Sequence, residues 1–180
     1  MKGALPPAFS FRYGEITLGA FAFYKVSYTQ TMRQEKLFYL GVKALIRNPS
    51  GSVLLLSSKR SNGEEFFDLP GGRINRGETP LEALTREIQE ETGISDVEIG
   101  RHLGMAQTEV AIPITSTETG GLVLSVYACL VPDITTLIPE EGVTLDWYQP
   151  GAVTKKLSNY PIVLRSAIDD ELKKEEHATL

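Results

Sequence analysis

The 180-residue sequence has a single cysteine, Cys129, so it cannot build an internal disulfide framework. That scarcity fits a reducing, cytoplasmic compartment. No uninterrupted apolar run is long enough to span a bilayer, which leaves no transmembrane helix to place. Nor is there an excess of basic residues. Lys and Arg total 18 against 23 Asp and Glu, for a net charge of −5, the wrong sign for sequence-independent binding to a nucleic-acid backbone. The apolar, aromatic segment Ile16–Tyr24 follows Arg12 and Glu15 and precedes no convincing small-residue cleavage site, so it does not read as a signal peptide. No internal repeat is visible.

What is present is ordinary for a soluble globular protein, with 42% apolar and 23% charged residues. The length predicts one domain with a sizeable core. Residues 1–35 read as an N-terminal extension of strands or a hairpin, because their aromatics, Val26 and Thr29 suit strands. That extension could be an added edge, a dimer arm, or a lead-in upstream of an internal start at Met32. As a strand edge it offers a route to a homodimer. Residues 36–180 read as the main domain. Cys129 lies in the apolar run Leu122–Val131 and is expected to be a buried small hydrophobe.

The most informative stretch runs from Gly72 to Ile94. Within it, TPLEALTREIQEETGI has the marks of a capped helix. Thr79 can serve as N-cap, Pro80 fits the first helical position, Glu82 completes a capping box, and Gly93 sits where a left-handed C′ residue is wanted. Leu81, Leu84 and Ile88 recur at helical spacing and predict one apolar stripe. At 3.6 residues per turn, Glu87, Glu90 and Glu91 fall within an arc of about 100°. Three acids on one face repel by a few tenths of a kcal/mol per i,i+4 pair in water. Hard oxygen ligands so grouped are also what Mg²⁺ or Mn²⁺ requires, although a solvated acidic face would carry the same three residues.

The wider spacing separates these readings. Gly72, Glu78, Arg86, Glu87, Ile88, Glu90, Glu91, Gly93 and Ile94 satisfy G-x5-E-x7-R-E-U-x-E-E-x-G-U, with U apolar, at every specified position. A chance match has odds on the order of 10⁻⁷ at average residue usage. The sequence closely resembles the Nudix hydrolases. The preceding Phe67-Asp68-Leu69-Pro70-Gly71-Gly72 extends the likeness, since the family commonly shows an aromatic-x-Leu-Pro-Gly-Gly run here. Pro70 fixes one backbone angle and the glycines permit others, so the chain can bend tightly from strand into loop.

Elsewhere the pattern alternates strands with turns. Val42, Ala44 and Ile46 alternate as in a half-buried strand, Asn48–Gly51 forms a turn, and Val53–Ser57 returns. Val97–Ala106, Leu122–Val131 and a short segment around Leu145–Tyr148 read as further strands. A second amphipathic helix after Ser158 or Asn159 carries Leu164, Ile168 and Leu172. Strands with a helix on each side predict an α/β fold, an α/β/α sandwich around a mixed sheet. The resemblance implies the same architecture over about residues 37–172.

The resemblance implies a pyrophosphohydrolase with Glu87, Glu90 and Glu91 as ligands of Mg²⁺, for which Mn²⁺ may substitute. It implies that Gly72 contributes a carbonyl or shape to metal and substrate, and that Glu78 supports the loop or reaches a second metal. Arg86 can pair with Glu90 at i+4 and Glu82 at i−4, which would orient a ligand. Glu140 and Glu141 are the acids best placed for a general base on a loop beyond the motif, with Glu109 and Glu118 weaker candidates. Arg60 could contact a phosphate, and Phe67 could stack on a base. His102 reads as structural, and His177 carries no functional reading. The expected substrate is a small nucleoside diphosphate linked to another group, of the ADP-ribose or nucleotide-sugar kind. The alternatives are housecleaning of nucleoside triphosphates and a non-catalytic nucleotide sensor. Pro113 falls later than the proline typical of the ADP-ribose enzymes, and no tyrosine occurs between Ile94 and Tyr127, which weakens a dinucleoside-polyphosphate assignment.

Overall fold

The computed structural model describes residues 37–60, 62–132 and 136–176. The expected strands of the N-terminal extension, and His177, lie outside them. The first strand, β1 (Phe38–Arg47), sits at the centre. It lies parallel to β6 (Thr119–Leu130), in register from Phe38 opposite Gly121 to Arg47 opposite Leu130. Beyond β6 runs β4 (Glu98–Gln107), antiparallel, and the short β5 (Ile112–Pro113) also pairs with β6. β2 (Val53–Lys59) meets β1 at Arg47 and Val53 and runs antiparallel to both β3 (Glu65–Asp68) and β7 (Thr144–Tyr148). Parallel and antiparallel pairings together make the sheet mixed.

Helices cover both faces, as an α/β/α sandwich requires. On one face, α1 (Pro80–Thr92) packs Ala83, Leu84 and Ile88 against Val42, Ala44, Ile46 and Leu54. On the other, α2 (Pro150–Lys156) and α3 (Ile162–Glu176) bring Val153, Leu157, Leu164, Ile168 and Leu172 to Leu45, Val53 and Leu55. Burying a side chain such as Leu84 or Ile88 contributes about 1.5–3 kcal/mol. This double coverage revises the half-buried expectation for β1. Residues 41–47 are all buried, because a strand between two helical layers has no solvent face.

Two helical details differ from the sequence pattern. Leu81 belongs to the α1 stripe by angle, yet in the first turn no core side chain covers it and it stays 48% exposed; Ala83 joins the buried set instead. The short α2 was not expected, although Pro150 at its first position is a start signal.

The segment that follows β3 is laid along the free edge of β1. The Ala44 N–H donates to the Pro70 carbonyl at 2.8 Å, the Val42 N–H to Gly72 at 2.9 Å, and the Ile74 N–H to Leu40 at 2.9 Å. Only glycine can occupy position 71. Its φ is +129°, and a Cβ there would lie 2.2 Å from the Val42 carbonyl oxygen. The glycine turn is therefore stitched to the most buried strand, directly above the N-terminal approach to α1.

Candidate active site

α1 begins and ends as its sequence dictates. The Thr79 hydroxyl accepts from the Glu82 N–H, and the Glu82 carboxylate accepts from the Thr79 N–H at 2.8 Å. Gly93 closes the helix at φ 76°. Between these caps, the acidic arc borders the buried stripe. Glu91 lies about 20° from the direction of Leu84, seven residues earlier, which places its carboxylate at the edge of the core.

Glu87 and Glu90 are brought together by one guanidinium. Nη1 of Arg86 donates to Glu87 at 2.7 Å and to Glu90 at 3.1 Å. Its Nε and Nη2 grip Glu78 at 2.7 and 3.0 Å, and Nη2 also reaches the Arg73 carbonyl at 3.1 Å. The Arg86–Glu90 pair matches the expected i+4 spacing. The expected Arg86–Glu82 pair is replaced by Arg86–Glu78, because Glu82 is committed to the capping box. Glu78 thus supports the loop, and the Arg86 hydrogen bonds, followed by the Asn75 N–H, hold its carboxyl down at about 2. The Arg86 guanidinium is itself shifted upward by Glu78 and Glu87.

Glu91 faces another environment. Its carboxylate accepts from the Gly71 N–H at 2.7 Å. Burial pushes its pKa up to about 7, and the nearby Lys43 and the Gly71 N–H only partly offset that. Gly72 presses its backbone against Glu87: a Cβ at position 72 would meet that carboxylate at 2.4 Å. Glycine turn and acidic helix face are therefore one site. Its oxygen donors suit a hard divalent cation, which would favour the ionised form of the buried Glu91. Among the described residues, however, no three His, Cys, Asp or Glu side chains already surround one point; Arg86 and Gly71 hold the acids.

Beside this turn opens a cleft lined by Gly72, Lys43, Asp68, Tyr160, Asn159 and Phe66, with Leu122, Leu124, Thr108 and Val110 completing it. Sequence reasoning missed Lys43, Asp68, Asn159 and Tyr160, whose meeting depends on tertiary contacts. Phe66 forms the aromatic wall. Phe67 points into an adjoining groove, packs edge-on against Tyr148 at 5.9 Å, and carries the Lys156 ammonium 3.7 Å from its ring centre. Arg60 lines that same groove and stacks over Phe66 at 4.7 Å. The loop bearing Glu140 and Glu141 approaches the C-terminal end of α1, where the Ile138 N–H donates to Thr92 at 2.9 Å. Both glutamates are exposed, and neither lines the cleft. Glu109 and Glu118 are exposed as well. His102 tilts against Tyr127 in the sheet at 5.0 Å, and Cys129 is buried, its thiol pushed up to about 12.

The family model described as NUDIX domain matches residues 37–166. A MutT-like protein of Streptomyces ambofaciens is 27% identical over 145 residues, covering 80% of this chain and 86% of that one. An 8-oxo-dGTP diphosphatase of Haemophilus influenzae is 43% identical over 53 residues, covering 28% of this chain and 38% of that protein. The chain thus spans well under half the length of this second relative. Among solved structures, a MutT protein from Methanosarcina mazei superposes with a TM-score of 0.59 at 26% identity, over 79% of this chain and 98% of that one.

Proposed function

This chain belongs to the Nudix hydrolases, and we propose on that premise a divalent-cation-dependent pyrophosphohydrolase acting on a nucleoside triphosphate. The observation that carries the site is Gly72, whose backbone lies so close to the Glu87 carboxylate that a Cβ there would displace it, while Gly72 also lines the cleft. Glu87, Glu90 and Glu91, with the Gly72 carbonyl, would hold Mg²⁺, or Mn²⁺ in its place. Such a cation, when bound, neutralises phosphate charge and lowers the pKa of water. The chain's own residues do the rest. Arg86 orients Glu87 and Glu90, and the Gly71 N–H orients Glu91. Phe66, Leu122 and Leu124 offer a base an apolar slot. To serve as general base, Glu140 or Glu141 would have to reach the cleft from the exposed loop docked at the end of α1.

The nucleoside triphosphate reading is favoured by the 8-oxo-dGTP diphosphatase, whose similarity covers 53 residues. A nucleoside diphosphate linked to another group is the second reading. It is favoured by the groove beyond Phe66 and Asn159, where Arg60 and Lys156 could meet a second polar moiety. We place the enzyme in the cytoplasm as a domain beginning near residue 36, with the preceding segment as a homodimer arm that sedimentation would test. Turnover of dNTPs, 8-oxo-dGTP, ADP-ribose, sugar nucleotides and a 5′-triphosphorylated RNA, with Mg²⁺, tests substrate class. Hydrolysis of the RNA alone would overturn the small-molecule reading. A chelator should abolish pyrophosphate release from the triphosphate and added Mg²⁺ should restore it; turnover indifferent to both would reject the metal site. Glu140→Gln and Glu141→Gln, made separately, would each keep full turnover if neither is the base.

A further inference from the structure

We infer that Lys43, Asp68 and Tyr160 form a buried positioning network that sets the Gly71–Gly72 turn against the acidic face of α1. Through the turn, the network tunes the affinity of that face for a divalent cation. Lys43 stands on β1 and is only 8% exposed. An ammonium group has three protons to place, and here each has an acceptor. Nζ donates to Asp68 Oδ2 at 2.8 Å, to the Leu69 carbonyl at 2.9 Å and to the Gly71 carbonyl. Asp68 is held from its other oxygen, which accepts from the Tyr160 hydroxyl and from the Leu69 N–H at 2.8 Å. Tyr160 is buried in the connection between α2 and α3. Two separate segments, β1 and the connection between α2 and α3, therefore converge on four consecutive residues, 68–71.

A buried charge costs free energy unless it is paired and fully hydrogen-bonded. An apolar side chain of Lys43's length would fill the space without that penalty, so the ammonium is spent on geometry. Gly71 shows what geometry. Lys43 fixes its carbonyl on one side, while its N–H donates to Glu91 on the other. The Gly71 N–H shares its peptide with the Pro70 carbonyl, which Ala44 holds, and Lys43 holds the Leu69 and Gly71 carbonyls of the peptides on either side. With no side chain at Gly71 to resist rotation, loss of the Lys43 contacts frees both flanking peptides. The adjacent Gly72 abuts Glu87, so a shift of the turn disturbs two acids together. Lys43 is thus a positioning residue that acts through the turn, beside the through-space attraction its charge exerts on Glu91.

This inference rests on the reading of Glu87, Glu90 and Glu91 as the metal-holding face, so the test separates the two. Mn²⁺ is titrated into the substrate-free full-length protein, with free Mn²⁺ followed by its electron paramagnetic resonance. The variants are Lys43→Met, Lys43→Met with Asp68→Asn, Tyr160→Phe and Glu91→Gln, each checked by circular dichroism. Lys43→Met should weaken Mn²⁺ binding about tenfold or more, the range seen when partners behind metal ligands are removed. Tyr160→Phe should weaken it about fivefold. If Lys43 merely balanced the charge of Asp68, the double variant would regain wild-type affinity; positioning predicts that it does not. In turnover, Lys43→Met should lower kcat with KM within about twofold of wild type. Unchanged Mn²⁺ affinity in Lys43→Met, or recovery in the double variant, overturns the inference. Should Lys43→Met fail to fold, wild-type affinity in Tyr160→Phe overturns it. Glu91→Gln that binds Mn²⁺ like wild type would sink the metal-site reading as well, whereas its loss of binding beside an intact Lys43→Met sinks the positioning role alone.

Discussion

Two charge clusters flank the glycine turn, and they solve the same problem differently. The outer one gathers Glu78, Glu87 and Glu90 around Arg86, half in solvent, with a donor for each acid. The inner one gathers Asp68, Glu91 and Tyr160 near Lys43, largely buried, with the lysine's protons spent on Asp68 and two carbonyls. The consequence is a contrast in acidity. Glu78 falls to about 2, whereas Glu91 rises to about 7. A planar guanidinium beside solvent can satisfy several carboxylates at once. A buried ammonium already committed elsewhere cannot. The inner cluster therefore leaves one carboxylate short of positive charge, beside the cleft.

Glu91→Gln tests that shortage most severely. It keeps the size and the acceptor for the Gly71 N–H but removes the charge. We expect the fold to persist while turnover with Mg²⁺ drops at least about 100-fold, measured as pyrophosphate release from the triphosphate. Unchanged turnover would place the chemistry elsewhere.

A pH titration measures the same shortage without substrate. An acid whose pKa rises on folding holds its proton more tightly in the folded state. Its stabilising effect is complete below the unfolded value of 4.5 and is lost as pH climbs through about 7. Denaturant melts without metal should therefore lose stability over that window, by at most about 3 kcal/mol. Glu91→Gln should flatten the slope, and Mg²⁺ should reduce it, because a bound cation favours the ionised carboxylate. A wild-type slope that survives in Glu91→Gln would assign it to another group.

The clusters also differ in how far they can be read from sequence. The outer one is local: its members fall between positions 78 and 90, at spacings a helix and its leading loop impose. One partner was misread, since Glu82 and Glu78 are both within reach of Arg86 until the capping box claims Glu82. The inner cluster joins residues 25 and 92 positions apart, Lys43 with Asp68 and Asp68 with Tyr160. No spacing encodes such a meeting. Lys43 looks like the polar interval between Val42 and Ala44, and only the two helical layers make it buried. The sandwich itself was legible, because α1 and α3 carry clear apolar stripes and the strands are bounded by turns. The short α2 was not, having one turn of apolar pattern and no side-chain cap.

Removing the guanidinium is the counterpart experiment on the outer cluster. Arg86→Met leaves three acids facing one another, and Glu78 loses its grip on the loop. Because the group is 27% exposed, water screens the repulsion, and we expect a loss of about 1–2 kcal/mol. Added salt should recover part of it. The inner cluster, shielded from solvent, should show no such recovery when Lys43 is replaced. Equal salt responses in the two variants would erase the distinction drawn between them.

The smallest expected effect is at the start of α1, outside both clusters. Thr79→Ala removes the hydroxyl that accepts from the Glu82 N–H but leaves the acidic arc untouched. Loss of such a cap costs about 1 kcal/mol, read as a shift in the unfolding midpoint. The Glu82 carboxylate can still accept from the backbone at position 79, so half of the reciprocal box survives. Because the helix is pinned further along by Leu84 and Ile88 in the core, the last turn that bears Glu90 and Glu91 should not move. Turnover should stay within about twofold of wild type. A fall comparable to that of Glu91→Gln would mean that the acidic face depends on the helix start as much as on the glycine turn, and the separation of α1 into a capping end and a chemical end would fail.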